Sequence, residues 1–262
     1  MGSDPPRPGR RPSRAKLGAV SVDLSVASAG AGAPSDEWLT AVNRQSLAVR
    51  LIATTVHDVN NILQVMSGAA EVLALDPTAA AVARRTTSIV SQSAAATAVL
   101  QHLTAFVRAD GSAGDGARPL ALAQQALAFR QHAFKKLRLT AAADGDEVEC
   151  AMARHHLQQV LLNLVVNAEQ ALAGQPGGAI RIVVRGGEAV TIDVTDNGPG
   201  LSDARLAEVF AWPPSPGAAA GALGIGLRVS RRLVEAAGGT LTLATPAGGG
   251  TSARVTVPSL RR

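Results

Sequence analysis

The segments LLNLVVNAEQAL (residues 161–172), AIRIVV (179–184) and AVTIDVTDNGPG (189–200) decide how this chain is read. The first lies in a stretch read as a buried helix over 153–172, and its Asn163 and Asn167 lie four residues apart, on one face. The other two are β-branched strands joined by the Gly186-Gly187 turn. Residues 120–136 and 226–237 read as further helices, and 137–142, GGTLTLAT and ARVTVP as further strands. Helices and strands mixed without a regular βαβ repeat predict an α+β sandwich, with helices over one face of a mixed sheet.

The N-terminal half reads differently. Ser35 followed by Asp36 and Glu37 is a helix start, a hydroxyl cap with acids at the positive dipole end. Apolar positions then recur at Val49, Ile52, Val56, Val59, Leu63, Met66, Ala70 and Leu73, in steps of three and four. Asp76-Pro77 breaks the pattern, and a second seam runs Val82, Thr86, Ile89, Ser93, Ala96, Leu100, Leu103, Val107. Two such helices make an antiparallel hairpin, which cannot cover its own apolar stripe. Two hairpins paired as a four-helix bundle can, so a homodimer is expected. The division expected is an arm over 1–34, a hairpin domain over 35–109, a linker over 110–117 and the α+β domain over 118–262.

Composition narrows the function. Of 262 residues, 47% are hydrophobic and 2% aromatic, so the cores are aliphatic. The formal charge of +5 is concentrated in Arg7, Arg10, Arg11, Arg14 and Lys16, within a Pro, Gly and Ser-rich arm expected to be flexible. Basic residues confined to a tail, without aromatics for stacking, argue against nucleic-acid binding. Arg10-Arg11 precedes a weakly apolar stretch interrupted by Asp23, which reads as arm rather than export signal. The single Cys150 excludes an internal disulfide and suits a reducing cytoplasm. No run approaches the ~18 apolar residues of a membrane span, so no transmembrane segment is expected.

Several residue groups suit chemistry. His57, Asp58, Asn60 and Asn61 interrupt the first seam, with His57 and Asn61 on one helix face. They are either a solvated patch or a phosphoryl acceptor with a carboxylate to take its proton. Asn163 and Asn167 either bond neighbouring loops or turn their carbonyl oxygens toward a hard cation such as Mg²⁺ held by phosphates. Asp196, with Gly198 and Gly200, is either an ordinary turn or an acceptor for an exocyclic amine such as adenine's. Gly224 and Gly226 precede a helix whose free amides attract phosphate.

In order, HDVNN, LLNLVVNA, DNGPG, Phe210, GIGL and GGGTSARVTVP resemble the two-component sensor histidine kinases over residues 36–262. The resemblance implies a dimeric phosphotransfer hairpin followed by a Bergerat-type ATP-binding domain. On it His57 is similar to the phosphorylated residue, Asp58 to its general base, and Asn61 to the residue used in dephosphorylating a response regulator. Asn167 resembles the Mg²⁺ ligand and Asn163 its neighbour beside the phosphates. Asp196 resembles the adenine reader above Gly198 and Gly200, Gly224 and Gly226 the ATP-lid hinge and phosphate-binding helix start, and Thr251 the threonine of the last strand motif. An amide at 163, where ATP-hydrolysing relatives carry a glutamate, favours transfer over hydrolysis. The lid-like stretch 211–223 carries no Lys or Arg. No sensor domain precedes the hairpin and no receiver domain is present, so the acceptor aspartate is expected on a separate response regulator. The alternatives are a phosphotransfer or pseudokinase scaffold, and a regulator phosphatase that uses ATP as a controlling ligand.

Overall fold

A computed structural model of the chain describes residues 35–75, 78–107, 116–210 and 225–260. The arm over 1–34, the Asp76-Pro77 break, most of the expected linker, the lid-like stretch 211–223 and Gly224 lie outside the described residues. Residues Pro34–Arg262 form one compact unit.

Helix α1 (Asp36–Leu75) starts as its sequence dictates, with the Ser35 hydroxyl accepting from Trp38 N at 3.2 Å and two acids in the first turn. Helix α2 (Ala79–Val107) packs along it as the second arm of a hairpin. Much of the expected seam is uncovered among the described residues: Val49, Ile52, Val56 and Leu63 on α1, and Val82 and Leu100 on α2, are exposed.

Strand β1 (Gly116–Ala117) pairs with β3 (Cys150–Ala153) as a small antiparallel sheet. β1 thus takes up the last two residues of the expected linker. Gly116 is pressed against Leu260 and the Cys150 carbonyl, an approach that leaves no room for a side chain and that no periodicity announces. Helix α3 (Pro119–Leu137) opens on proline, whose missing N–H is no loss there, and closes on Arg138 in a left-handed conformation. After β2 (Thr140–Gly145) and β3 comes α4 (Arg154–Ala171), the helix predicted from LLNLVVNAEQAL.

Strands β4 (Ala179–Arg185) and β5 (Ala189–Asp196) form the expected hairpin, with Ile182 opposite Val194. Ser202 caps the short α5 (Asp203–Glu208), and α6 (Gly226–Ala236), β6 (Thr240–Ala244) and β7 (Ser252–Pro258) complete the domain. The main sheet runs β2-β4-β5-β7-β6, with β2 and β4 parallel and all other pairs antiparallel. It is the mixed sheet that the sequence predicts.

Alternate residues of the strands, Ile180, Ile182, Val184, Val190, Ile192, Val194, Val255 and Val257, turn toward one core with Leu157, Leu161 and Val165 of α4 and Val229 and Leu233 of α6. Each fully buried aliphatic side chain contributes about 1.5–3 kcal/mol. The same core takes in Leu39, Val42, Leu47 and Leu51 from the first turns of α1, which pack across α3, α4 and α6. The N-terminal part of the hairpin helix is therefore integral to the α+β domain.

Candidate functional site

The turn after β5 is built around Asp196. Its Oδ1 accepts from Gly198 N at 2.9 Å and Thr251 N at 3.2 Å, while its own amide donates to the Thr251 carbonyl at 3.0 Å. Its Oδ2 makes no hydrogen bond among the described residues. One carboxylate oxygen is thus fixed by backbone amides and the other stays available as an acceptor, the arrangement needed to read an exocyclic amine.

Glycine is required on both sides of this turn. Gly250, at φ +79°, runs so close to the Asp196 carbonyl that no side chain fits. Gly200, at φ +75°, lies against Thr245, whose hydroxyl accepts from Leu201 N and donates to the Leu201 carbonyl. A Cβ on Gly198 would lie 2.8 Å from Asp196 Oδ1 and 3.5 Å from the methyl of Ala171, at the end of α4. Asn167 is one helical turn before Ala171, so the turn and Asn167 face a common region. Asn197 serves the scaffold instead, accepting from Ala179 N at 2.7 Å and donating to the Gly177 carbonyl at 3.0 Å.

The two asparagines of α4 have different surroundings. Asn167 is half-buried and makes no hydrogen bond among the described residues. Its carbonyl oxygen fits a hard cation that keeps most of its other positions for phosphates and water, as Mg²⁺ does. Asn163 is 3% exposed and fully engaged. Its Nδ2 donates to Asn43 Oδ1 at 2.9 Å, Ser230 Oγ at 3.1 Å and the Gly226 carbonyl at 3.2 Å, and its Oδ1 accepts from Asn43 Nδ2 at 3.0 Å. Gln159 joins through Nε2, donating to Asn43 Oδ1 at 2.8 Å and the Thr40 carbonyl at 3.1 Å. This buried network ties α1, α4 and the first turns of α6 together.

Gly226 opens α6, the helix expected to face phosphate, and a Cβ there would lie 3.1 Å from Asn163 Oδ1. The fold therefore brings Asn163 and Gly226 together, and gathers Asp196, Gly198, Gly200 and Thr251 from two adjacent turns near Asn167. His57 and Asp58 lie on α1 beyond the segment that enters the core, and their side chains are outside the described residues. Asn61 is exposed on the same helix.

Sequence reasoning missed Asn43, Gln159, Ser230, Gly250 and the pair Arg130–Glu169. Asn43 had a signal, since it lies midway between Leu39 and Leu47 at four-residue spacing on what becomes a buried face. Gly250 had one in the glycine run before Thr251. Arg130 donates from Nε and Nη2 to the two oxygens of Glu169, at 2.8 and 2.7 Å, and nothing in the local pattern relates two residues on different helices.

Residues 152–261 match the family described as histidine kinase-, DNA gyrase B- and HSP90-like ATPase. Similar curated proteins include the C4-dicarboxylate transport sensor protein DctS of Rhodobacter capsulatus, 41% identical over 39% of this chain and 16% of that protein. The sensor histidine kinase ZraS of Escherichia coli K12 is 37% identical over 47% of this chain and 25% of its own length. These matches thus span a quarter or less of either relative. Among solved structures, the catalytic domain of the histidine kinase ThkA is 21% identical, covering 54% of this chain and 93% of that one with a TM-score of 0.47. Among the described residues, no helix is long and apolar enough to cross a membrane. Residues 152–261 thus carry an ATPase domain of the histidine kinase-, DNA gyrase B- and HSP90-like family, and the curated proteins similar to this chain include sensor histidine kinases.

Proposed function

We propose that this chain autophosphorylates His57 from Mg-ATP and passes the phosphate to an aspartate of a separate response regulator. The observation that carries the reading is Asp196, one oxygen anchored by two amides and the other without a hydrogen bond among the described residues, beside Asn167, which likewise makes none among them. A ring nitrogen of His57 attacks the γ-phosphorus as the bond to the bridging oxygen breaks and ADP leaves, while Asp58 takes the proton from the ring. Asn163, Gly224, Gly226 and Thr251 complete the nucleotide site, and Asn61 serves the reverse, dephosphorylating reaction. Asn167 would hold Mg²⁺ together with the phosphates, and the metal would supply charge neutralisation when bound; this chain's residues supply position.

The uncovered apolar stripe on the hairpin supports a homodimer, because a second copy presents the same stripe at matching spacing. A cytoplasmic location accords with the single buried cysteine. One sequence feature favours a second reading, a phosphotransfer scaffold or regulator phosphatase with little kinase activity: residues 211–223 offer no cation to the γ-phosphate.

Incubation with Mg²⁺ and γ-labelled ATP separates the two. Acid-labile label on the wild type that disappears in His57→Gln and in Asp196→Asn supports the kinase. Nucleotide binding without label in the wild type moves the assignment to the second reading.

A further inference from the structure

The first turns of α1 lie where the kinase reading expects nucleotide phosphates to be handled. Asn43, 5% exposed, takes one hydrogen bond from Asn163 Nδ2 and returns one to Asn163 Oδ1. Its Nδ2 also comes within 3.6 Å of the position a Cβ would take on Gly226, at the positive end of α6. Asp36, one helix segment earlier, pairs with two cations of α6, lying 3.5 Å from Arg232 Nε and 4.0 Å from Arg228 Nη2. A carboxylate and a carboxamide of α1 thus occupy donors that α4 and α6 would otherwise present to an anion.

The contact is firm at one end and open at the other. Leu39, Val42, Leu47 and Leu51 are buried in the domain core. Beside them, an open cleft of about 630 Å³ lined by Asp36, Thr40, Arg44, His156, Gln159 and Arg232 separates the first turn of α1 from α4 and α6. The Asp36 ion pairs are half-exposed and therefore weak. The buried amide network is the specific part of the lock, because each of its polar atoms loses a partner when α1 shifts.

We propose that the first four turns of α1 are an intramolecular latch on the phosphate end of the nucleotide site. Asn43 holds Asn163 and the start of α6 in a ligand-free arrangement, and nucleotide phosphates and Asn43 compete for Asn163. The latch rests on the kinase reading of Asn163 and Gly226. Any input that twists or tilts α1 then alters nucleotide affinity directly, through one side chain.

The test is calorimetric titration of the full chain with Mg-ATP, comparing wild type, Asn43→Ala and Asn43→Asp, with melting curves to establish that each is folded. Removing the competing hydrogen bonds should tighten binding about fivefold in Asn43→Ala. A carboxylate at position 43 should weaken it, since it would sit against the incoming phosphates. Hydrogen exchange gives an independent readout: amides of residues 36–51 should exchange faster in wild type saturated with Mg-ATP than without it. Equal affinities in wild type and Asn43→Ala, with α1 exchange unchanged by nucleotide, would overturn the latch and leave the kinase reading standing. No Mg-ATP binding by any of the three would overturn both.

Discussion

Replacing Asp196 by Asn is the sharpest perturbation of the site, because the geometry dictates how the new side chain must lie. Gly198 N and Thr251 N both donate to Oδ1, so the carbonyl oxygen of an asparagine must face them; the amide group would meet two donors. Its NH₂ is then forced into the place of the free Oδ2, where an acceptor for the exocyclic amine is needed. Binding loses a hydrogen bond to a charged acceptor, about 1.5–3 kcal/mol, and places donor against donor. Each 1.4 kcal/mol is tenfold in Kd, so Mg-ADP should bind on the order of 10–100-fold more weakly. Both backbone bonds survive the change, so the melting temperature should stay within about 2 °C, a shift of roughly 0.5 kcal/mol. A base carrying a carbonyl oxygen in place of the amine should suffer less, narrowing the preference for adenine over guanine nucleotides. Titration calorimetry with ADP and GDP, beside melting curves, measures all three. An ADP affinity within twofold of wild type would refute the assignment of Asp196, and a large drop in melting temperature would refute the account of its anchoring.

Other residues give further outcomes. Asn167→Ala removes a half-buried amide without a protein partner among the described residues, so stability should change by no more than about 0.5 kcal/mol. Nucleotide affinity should lose its dependence on Mg²⁺, and a titration with and without the metal that still shows that dependence would rule out the ligand role. Glu169→Gln strips the charge from a bidentate pair whose side chains are 9% and 12% exposed, and should cost about 3 kcal/mol or more, lowering the melting temperature by roughly 10 °C. The double variant Arg130→Met/Glu169→Leu should recover most of that loss, and its failure to do so would show that the pair stabilises in its own right. Burial, then Arg44, holds the pKa of His155 and His156 below the usual imidazole value, and His155 adds to the effect on His156. The two rings lie tilted by 52° with centroids 4.0 Å apart, beside a cleft that also carries Asp36, Glu37, Arg232 and Glu235. The unfolded chain therefore binds more protons than the folded one as pH falls below about 6.5, and stability declines there. Changing both residues to Gln should flatten the decline in melting temperature between about pH 7 and 5.5.

The parts of the fold legible in the sequence are those whose pattern is local. α4 and the β4–β5 hairpin follow from apolar periods of 3.6 and 2 broken by glycine pairs, and their observed limits fall within a residue or two of the expected ones. Ser35 with Asp36 and Glu37 marks the start of α1 because capping acts within one turn. β1 and β3 were not legible, since strands of two and four residues make no periodic signal and pair across more than thirty positions. The apolar seam read on α1 at Val49, Ile52, Val56 and Leu63 is exposed, and Leu39, Leu47 and Leu51, on another face, are what the domain core takes up. A helix pattern states which residues need burial and leaves open which partner supplies it.

The same distinction divides the site. The proposed adenine end is made of two tight turns, 196–200 and 249–251, whose glycines are dictated by backbone approach within each turn and between two adjacent strands. Such a turn leaves its mark in the letters themselves, because other residues do not fit. The proposed phosphate end is made of Asn43, Gln159, Asn163, Gly226 and Ser230, drawn from three helices with partners up to 120 positions apart. Any of several polar residues could satisfy such a network, so each member looks ordinary in isolation, and Asn43 could be recognised only once α1 was seen to enter the core. On the proposed latch, the segment preceding His57 is a second determinant of nucleotide handling, beside the glycine motifs. Substitutions on the buried face of residues 39–51 should therefore alter nucleotide affinity, whereas changes confined to the exposed stripe at Val49, Ile52 and Val56 should alter association between copies and leave that affinity unchanged.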